Sequence, residues 1–473
     1  MAQTKISQRP GPPGASGRPG HRAAGPANRH PGAPVPTPRR WVPTLAGTVV
    51  GAGLLWVVVL AFSGESTAQL HAPGGLATFL GTAFGLVGTY LALVMVLLVS
   101  RIPPVERVLG LDGLVRWHRR LGPWPITLIV AHAVFILVGY AQAAKTGVGA
   151  ELRPMLLNYP DVLAATVGLL LMMAVGVASV RFIRQRLRRE TWWVLHLYLY
   201  LALALSFAHA VVLGPTFVGH PVTQAIWSVA WAASAGLVIV YRFGYPLARS
   251  LRHQLRVAEV RSEGPGVVSV VLRGRRLDRL PAAGGQFVQW RFLTRGMWWQ
   301  AHPYTLSALP RPPHLRITVK AVGDHSAALA DLRPGTRVWI EGPYGVFTRN
   351  ARRHRTVALI GAGIGVTAIR SLLEDLPAGT DPIVVVRAST EAELVLRREI
   401  AALVQRHRGV LHELVGTRHQ NRLDSEQLLQ LVPDLIRRDV FVCGPERFVN
   451  QIAYVCRHLG VSREALHHEA YAL

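Results

Sequence analysis

Residues 191–213, TWWVLHLYLYLALALSFAHAVVL, form an apolar run long enough to cross a bilayer, which takes about 20 residues at ~1.5 Å each. His196 and His209 lie inside it. An earlier run, RWHRRLGPWPITLIVAHAVFILVGY, carries His118 and His132, and the other histidines fall outside apolar runs. Imidazole in hydrocarbon is costly unless its ring nitrogens have partners, so intramembrane histidines are candidate functional residues.

His118 and His132 are 14 residues apart and His196 and His209 are 13 apart, so each pair spans roughly 20 Å along a helix. If the two helices run parallel, the four imidazoles meet at two levels. That is the ligand set for two six-coordinate haems stacked across a membrane. At ~100° per residue a spacing of 14 returns to within about 40° of the starting face, whereas 13 misses by about 140°. Either the second helix is irregular or its haems sit at different azimuths. A histidine that only bonds a backbone carbonyl in a bundle is the plainer reading for one residue, but not for four at matched levels.

Six apolar runs cover about 42–62, 77–100, 122–143, 161–180, 192–213 and 222–243. Basic residues crowd alternate links: Arg101, Arg107, Arg116, Arg119 and Arg120 after the second run, VRFIRQRLRRE after the fourth, and Arg242, Arg249, Arg252 and Arg256 after the sixth. By the positive-inside rule both termini are cytoplasmic in a multi-pass plasma-membrane protein. Runs three and five then both travel outward, as the histidine levels require. Arg116, Arg119 and Arg120 beside His118 suit haem propionates, or act as topology signals alone.

The formal charge of +26 raises nucleic acid as a partner, but the excess sits beside apolar runs, where it sets topology and meets anionic lipid. We therefore expect a lipid bilayer and no nucleic acid. With two cysteines, Cys443 and Cys456, the chain holds no disulfide framework and no four-cysteine iron–sulfur cluster. Residues 1–40 contain seven Lys or Arg and no Asp or Glu amid many Pro, Gly and Ala, and read as a disordered cytoplasmic tail.

After Tyr245 the pattern turns to short β-branched stretches broken by Gly and Pro: LRVAEVRS, VVSVVLRG, GQFVQWRF, LRITVKAV and RVWIEGP, the strands of an antiparallel barrel. Within them lie HPYTLS (302–307), GDHSAAL (323–329) and EGPYGVF (341–347). GDHSAAL reads as a turn into a helix whose N–H groups suit a diphosphate. From Arg355 strand and helix alternate. TVALIGAGIGVTAIRSLLEDL is a strand, a turn with Gly361, Gly363 and Gly365, then a helix with Thr367, the context in which a dinucleotide phosphate meets a helix N-terminus. Its third glycine comes one residue early for G-x-G-x-x-G.

These residues together resemble the ferric reductase and NADPH oxidase superfamily. The histidine spacings, HPYTLS, GAGIG and the CGP at Cys443 occur in that family's order, and the resemblance covers 42–473. It implies a tail over 1–40, a six-helix all-α transmembrane di-haem domain over 41–245, an antiparallel β-barrel FAD domain over 250–350, and an α/β Rossmann-like NAD(P)-binding domain over 355–473.

Carried over residue by residue, it implies FAD contacts at His302, Pro303, Tyr304, Thr305 and Ser307, with Thr305 near flavin N5. Gly323, Asp324, His325 and Ser326 cradle the pyrophosphate. Gly361, Gly363, Gly365 and Thr367 hold NAD(P)H, and Cys443, Gly444 and Pro445 approach the nicotinamide. Glu469 stands beside that site and Tyr471 covers the flavin ring, with Thr305 and Cys443 completing the catalytic set. Tyr304 departs from the usual Phe, and the chain runs on to Leu473. Cys443 is otherwise an inert buried thiol, and Tyr471 a core aromatic. Arg387, Ser389 and Arg397 either bind an NADP 2′-phosphate, favouring NADPH over NADH, or form a solvated helix face.

The implied cofactors are FAD, two b-type haems on His118, His196, His132 and His209, and NAD(P)H. The implied activity passes electrons from cytoplasmic NAD(P)H to a small acceptor across the membrane, a ferric chelate first and oxygen, giving superoxide, second. A metal-transporting membrane protein with a vestigial nucleotide module is the alternative of another class.

Overall fold

Leucine, valine and alanine dominate the first half of the chain, and in hydrocarbon such a backbone has no water to bond, so each run closes its own hydrogen-bond ladder as a helix. The computed structural model describes residues 41–63, 67–214, 216–417 and 419–471. The basic tail at 1–40 and the terminal Leu473 lie outside the described residues.

Among the described residues six helices are long and apolar enough to cross a membrane. The first two are α1 (Trp41–Ser63) and α2 (Gly75–Val99), followed by a short helix in the link, α3 (Pro103–Leu109). The third crossing joins α4 (Leu111–Leu121) to α5 (Pro123–Ala144). Then come α6 (Val162–Ser179), α7 (Arg189–Leu213) and α8 (Pro221–Val238), the last running through a π turn into α9 (Tyr245–His253). The third crossing starts earlier than its apolar run. Gly122 keeps helical angles (φ −48°, ψ −43°), and Pro123 sits at the start of α5, where its missing N–H costs nothing. His118 is thus inside a helix rather than ahead of one.

Two helix pairs pack closely because small residues face the contact. On α2, a Cβ at Gly85 would lie 2.6 Å from His132 Nδ1 of α5, and on α6 a Cβ at Gly168 would lie 2.8 Å from the Ala202 carbonyl of α7. Glycine at 85 is what lets α2 lie against the His132 ring.

All five expected strands form, and HPYT adds a sixth: β1 (Arg256–Gly264), β2 (Val267–Arg273), β3 (Phe287–Phe292), β4 (His302–Thr305), β5 (His314–Lys320) and β6 (Val338–Tyr344). A single helical turn, α10 (Asp324–Ala327), follows β5. The expected barrel is present as two open antiparallel sheets, ordered β1-β2-β5 and β4-β3-β6. Single bridges, Leu306 with Ile317 and Arg256 with Arg337, join their edges in place of ladders. Both sheets enclose one core that includes Val270, Leu272, Trp290, Ile317 and Ile340.

The last third is doubly wound: β7 (Val357–Ala362), α11 (Val366–Asp375), β8 (Pro382–Ala388), α12 (Arg397–Arg406), β9 (Val410–Val415), β10 (Asp439–Pro445), α13 (Glu446–His458) and β11 (Leu466–Tyr471). Its sheet is parallel throughout in the order β11-β10-β7-β8-β9. β7 is buried at every position, which explains its unbroken apolar sequence. The order reverses between β7 and β10, so their carboxyl ends open a crevice where ligands bind in such sheets. Ion pairs tie this unit to the flavin module: Arg316 of β5 forks onto Glu399 of α12 (2.7 and 2.8 Å), which also meets Arg370 of α11 at 2.8 Å.

The flavin module docks on the membrane helices through β6. Glu341 pairs with Arg101, just past α2, and with Arg242 at 3.4 Å, and it accepts from the Tyr344 hydroxyl at 3.1 Å. The Arg101 and Glu341 side chains are only 15% and 17% exposed. Glu106 of α3 accepts the Gly345 N–H at 3.2 Å, and burial pushes its carboxyl above the usual range. Replacing Glu341 by Gln leaves two guanidinium groups facing each other, and breaking a buried pair costs about 3–5 kcal/mol. Glu341→Gln should therefore lower the Tm of the full chain and expose the 242–255 segment to protease, whereas an unchanged melting curve would contradict this docking contact.

Candidate functional site

The intramembrane histidines come together as two pairs. The His118 and His196 ring centroids are 6.1 Å apart and those of His132 and His209 are 6.3 Å apart, the rings crossing at 67° and 65°. These pairings require α4–α5 and α7 to run in the same sense. Two imidazoles on opposite axial sites of one iron, each nitrogen about 2 Å from the metal, put their ring centroids about 6 Å apart. Both gaps fit that arrangement.

The other ring nitrogens fit it too. His118 Nδ1 lies 3.2 Å from the Met95 carbonyl and His132 Nδ1 2.8 Å from the Gly81 carbonyl, so each Nδ1–H donates and Nε2 is left as the free lone pair. His196 Nδ1 and His209 Nδ1 are shut off from solvent without a hydrogen-bond partner, and Trp192 stacks on His196 at 4.8 Å. Because α7 is one continuous helix, the 13-residue spacing is met by different azimuths and not by an irregular helix. Among the described residues no group of three or more His, Cys, Asp or Glu forms a metal cluster, which leaves the imidazole pairs as the metal-ligand candidates.

A second centre forms where β4 meets the carboxyl ends of β10 and β11. The register sets Cys443 beside Glu469 and Pro445 beside Tyr471. Tyr471 then reaches across to Thr305, hydroxyl to hydroxyl at 2.9 Å. Thr305, Cys443, Glu469 and Tyr471, which lie up to 166 residues apart, thus share one site. Cys443 is wholly buried, and burial pushes its thiol well above the ordinary range, with Glu469 adding to the effect. Glu469 Oε2 is enclosed without a partner. Burial, and then the Asp112 carboxylate of α4, push this carboxyl up to about 8. Asp112 is six residues ahead of His118 on α4, so the charge acting on Glu469 comes from the helix that carries His118.

The glycine turn closes this crevice from the other side. Gly363 has φ +54°, and a Cβ at Gly365 would lie 2.3 Å from the Cys443 carbonyl, so only glycine lets the turn approach β10. Gly361 ends β7 beside Cys443, and Gly444 follows on β10. Thr367 is buried, its hydroxyl donating to the Ile364 carbonyl at 2.9 Å.

On the flavin module His302 stacks on His325 at 3.6 Å, and the Tyr304 hydroxyl lies 3.0 Å from His325 Nδ1, while Pro303 is exposed. This draws HPYT and GDHS into one aromatic patch. Ser326 shapes its turn: Oγ accepts from the Val322 and Gly323 N–H groups at 2.9 and 3.1 Å, beside Asp324 at the start of α10. Ser307 departs from its expected place. It is fully buried, its hydroxyl enclosed by Thr318 (2.9 Å) and Arg316 (3.1 Å), and it faces no open surface. Arg397 is likewise occupied, forking onto Glu413 and meeting Glu391 at 2.8 Å. The Ser389 N–H donates to Glu393 at 3.2 Å, and Arg387 ends β8 at the register position of Ala362. Glu341 and Glu106 were missed from sequence; the only signal was a lone carboxylate in EGPYG set against the arginine-rich links.

The model of the ferric reductase like transmembrane component matches residues 84–207, and that of an FAD-binding domain matches residues 253–348. Together they give this chain the domain architecture of the ferric reductase and NADPH oxidase superfamily. The chain is similar to an NADPH oxidoreductase of Mycobacterium tuberculosis, 31% identical over 238 residues, which are 48% of this chain and 61% of that protein. It is also similar to a glycine betaine monooxygenase reductase subunit of Pseudomonas aeruginosa (26% over 184 residues, 36% of this chain and 50% of the relative) and a flavohemoprotein of Bacillus subtilis (23% over 232 residues, 46% and 58%). The chain thus spans 50 to 61% of the length of these relatives. Among solved structures, the FAD/NAD binding domain of a nitric oxide dioxygenase from Vibrio cholerae aligns with 46% of this chain and 98% of its own, at 22% identity and a TM-score of 0.39.

The Glu469 carboxyl sets a pH dependence. An unfolded chain releases this proton near the ordinary 4.5, the folded chain only near about 8. Between these values the folded state holds a proton that the unfolded state has lost, so stability falls as pH rises through the window and levels off above it. Glu469→Gln cannot ionise and should gain stability relative to the native chain on going from about pH 5 to about pH 8. Thermal unfolding of both proteins across that range checks it; parallel curves would contradict the shift.

Proposed function

We propose that this chain is a multi-pass plasma-membrane oxidoreductase that passes electrons from cytoplasmic NAD(P)H, through FAD and two b-type haems, to a ferric chelate on the opposite side. The observation that carries this reading is the pair of imidazole separations, 6.1 and 6.3 Å, at two levels of the bundle. When bound, the flavin converts a hydride into single electrons and the haems relay them across the bilayer.

The chain's own residues bind, orient and shield. His118 and His196 would hold the inner iron and His132 and His209 the outer one, with the Met95 and Gly81 carbonyls fixing the tautomer that offers Nε2. Haems held by two histidines each would leave no iron site open to an acceptor, so the haems would supply electrons without a general acid or base from the protein. His302, Pro303, Tyr304 and His325 would face the FAD, and Gly323 to Ser326 would cradle its diphosphate. Thr305 and Tyr471 stand together at the flavin ring. Gly361, Gly363, Gly365 and Thr367 shape the dinucleotide crevice, which ends at Cys443, Gly444 and Pro445. The Cys443 thiol stays protonated and packs the nicotinamide site without acting as a nucleophile. Glu469 is protonated at neutral pH and adds no charge there. Similarity to an NADPH oxidoreductase of Mycobacterium tuberculosis favours NADPH. Arg387, Ser389 and Arg397 are the residues that would meet a 2′-phosphate, Arg397 being paired with Glu391 and Glu413 in its absence.

Anaerobic NADPH oxidation with a ferric chelate, then aerobic oxidation with superoxide detection, tests the acceptor. The native protein should reduce the chelate without oxygen, whereas superoxide formation with no chelate reduction would contradict the ferric assignment. His196→Ala should abolish transfer to the chelate yet leave NADPH-driven flavin bleaching intact. Gly85→Leu, which drives a side chain into His132, should do the same through the outer pair. Thr305→Phe should slow flavin reduction at least tenfold, about 1.4 kcal/mol of barrier, with haem content unchanged; normal NADPH oxidation would remove Thr305 from the site.

A further inference from the structure

A cavity of about 780 Å³ lies between the membrane helices and the flavin module, within the ~300–1,000 Å³ range of ligand sites. Hydrocarbon walls it where helices enclose it: Leu93 of α2, Leu197 and Leu203 of α7, Trp231 and Val238 of α8. Where strands enclose it Trp339 and Ile340 are joined by polar groups, Gln289 and Arg291 of β3 and Glu341 of β6, and Arg242 lines it from the helical side. None of the four intramembrane histidines lines it, and neither do Tyr304, Thr305, Cys443 or Tyr471. Leu197, beside His196, and Gln289, the cross-strand partner of Pro303, place the cavity next to both centres described above.

Its charge is not balanced. Glu341 is already used by Arg101, Arg242 and the Tyr344 hydroxyl. Arg291 has no side-chain partner among the described residues, so Arg242 and Arg291, which line the cavity, outweigh its one carboxylate by one charge. A guanidinium at the edge of hydrocarbon calls for an anion, and phosphate matches its fork of donors. A neutral amphiphile would fill the apolar part and leave Arg291 unanswered. Lipids of the leaflet beside the flavin module already carry their chains at the depth of Leu93 and Trp231. Occupancy then exchanges one apolar neighbour for another, and the head group decides the binding.

We propose that this cavity binds one anionic phospholipid, its acyl chain between α2, α7 and α8 and its phosphate on Arg242 and Arg291, filling the joint between the membrane bundle and the flavin module. The binding does not depend on which acceptor the protein reduces.

The test uses the full chain with its cofactors, purified in detergent and washed exhaustively, with bound lipid identified by mass spectrometry and counted by native mass spectrometry. One acidic phospholipid should stay with each chain. Arg291→Gln should weaken retention about tenfold, as expected for losing one charged contact. Ala235→Trp, which fills the cavity from α8, should displace the lipid as well. In nanodiscs, adding phosphatidylglycerol to phosphatidylcholine should raise the Tm of the native chain and leave that of Arg291→Gln unmoved. Recovery of a quinone or a free fatty acid in place of the phospholipid, equal retention by Arg291→Gln, or equal Tm in the two lipids would overturn the proposal. Should Ala235→Trp fail to fold, the Arg291→Gln comparison still decides.

Discussion

An imidazole ring in hydrocarbon is costly unless its nitrogens are answered, and His118 and His132 of the third crossing are placed to meet that requirement. His118 and His132 each give Nδ1–H to a carbonyl of α2, which turns Nε2 toward the partner ring on α7. The carbonyls can do this only because α2 lies against α5, and Gly85 is what permits that contact at the outer level. A single missing Cβ therefore sets the distance between two rings on helices that are remote in sequence. The parallel sense of the third and fifth crossings follows from the same pairing.

Much of this was legible in the sequence. Apolar length marks a bilayer-spanning helix almost without reference to tertiary structure, and arginine placement alone gives the relative direction of the crossings. His118, His132, His196 and His209 stood out because histidine is costly where they lie. Thr305, Cys443, Glu469 and Tyr471 were a different case. Periodicity gives no reason for residues so far apart to meet, and it was family resemblance that grouped them; the register of β10 with β11 supplies the physical reason.

The sequence was least informative about contacts between modules. Arg101 reads equally well as a topology signal, and only the fold shows that it pairs with Glu341, some 240 positions away, in a nearly dry joint. Ser307 failed for a related reason. A hydroxyl two residues after Thr305 looks available in a linear motif, yet strand pairing turns it into a buried chain with Thr318 and Ser269. Arg397, too, reads as a free cation until Glu413 on the neighbouring strand comes into place. The barrel reading fell short in the same way, since strand identity is a local property and sheet closure depends on edges meeting.

The two centres are coupled in charge through α4. Asp112 acts on Glu469 from the helix that six residues later carries His118. The central claim is that each imidazole pair grips one iron from both axial sides. Electron paramagnetic resonance of the oxidised protein, with a haem count on the same sample, tests it most directly. The account predicts two haems per chain, both low-spin with the signature of paired imidazole ligands; one haem per chain, or a high-spin iron with an open axial site, would contradict it.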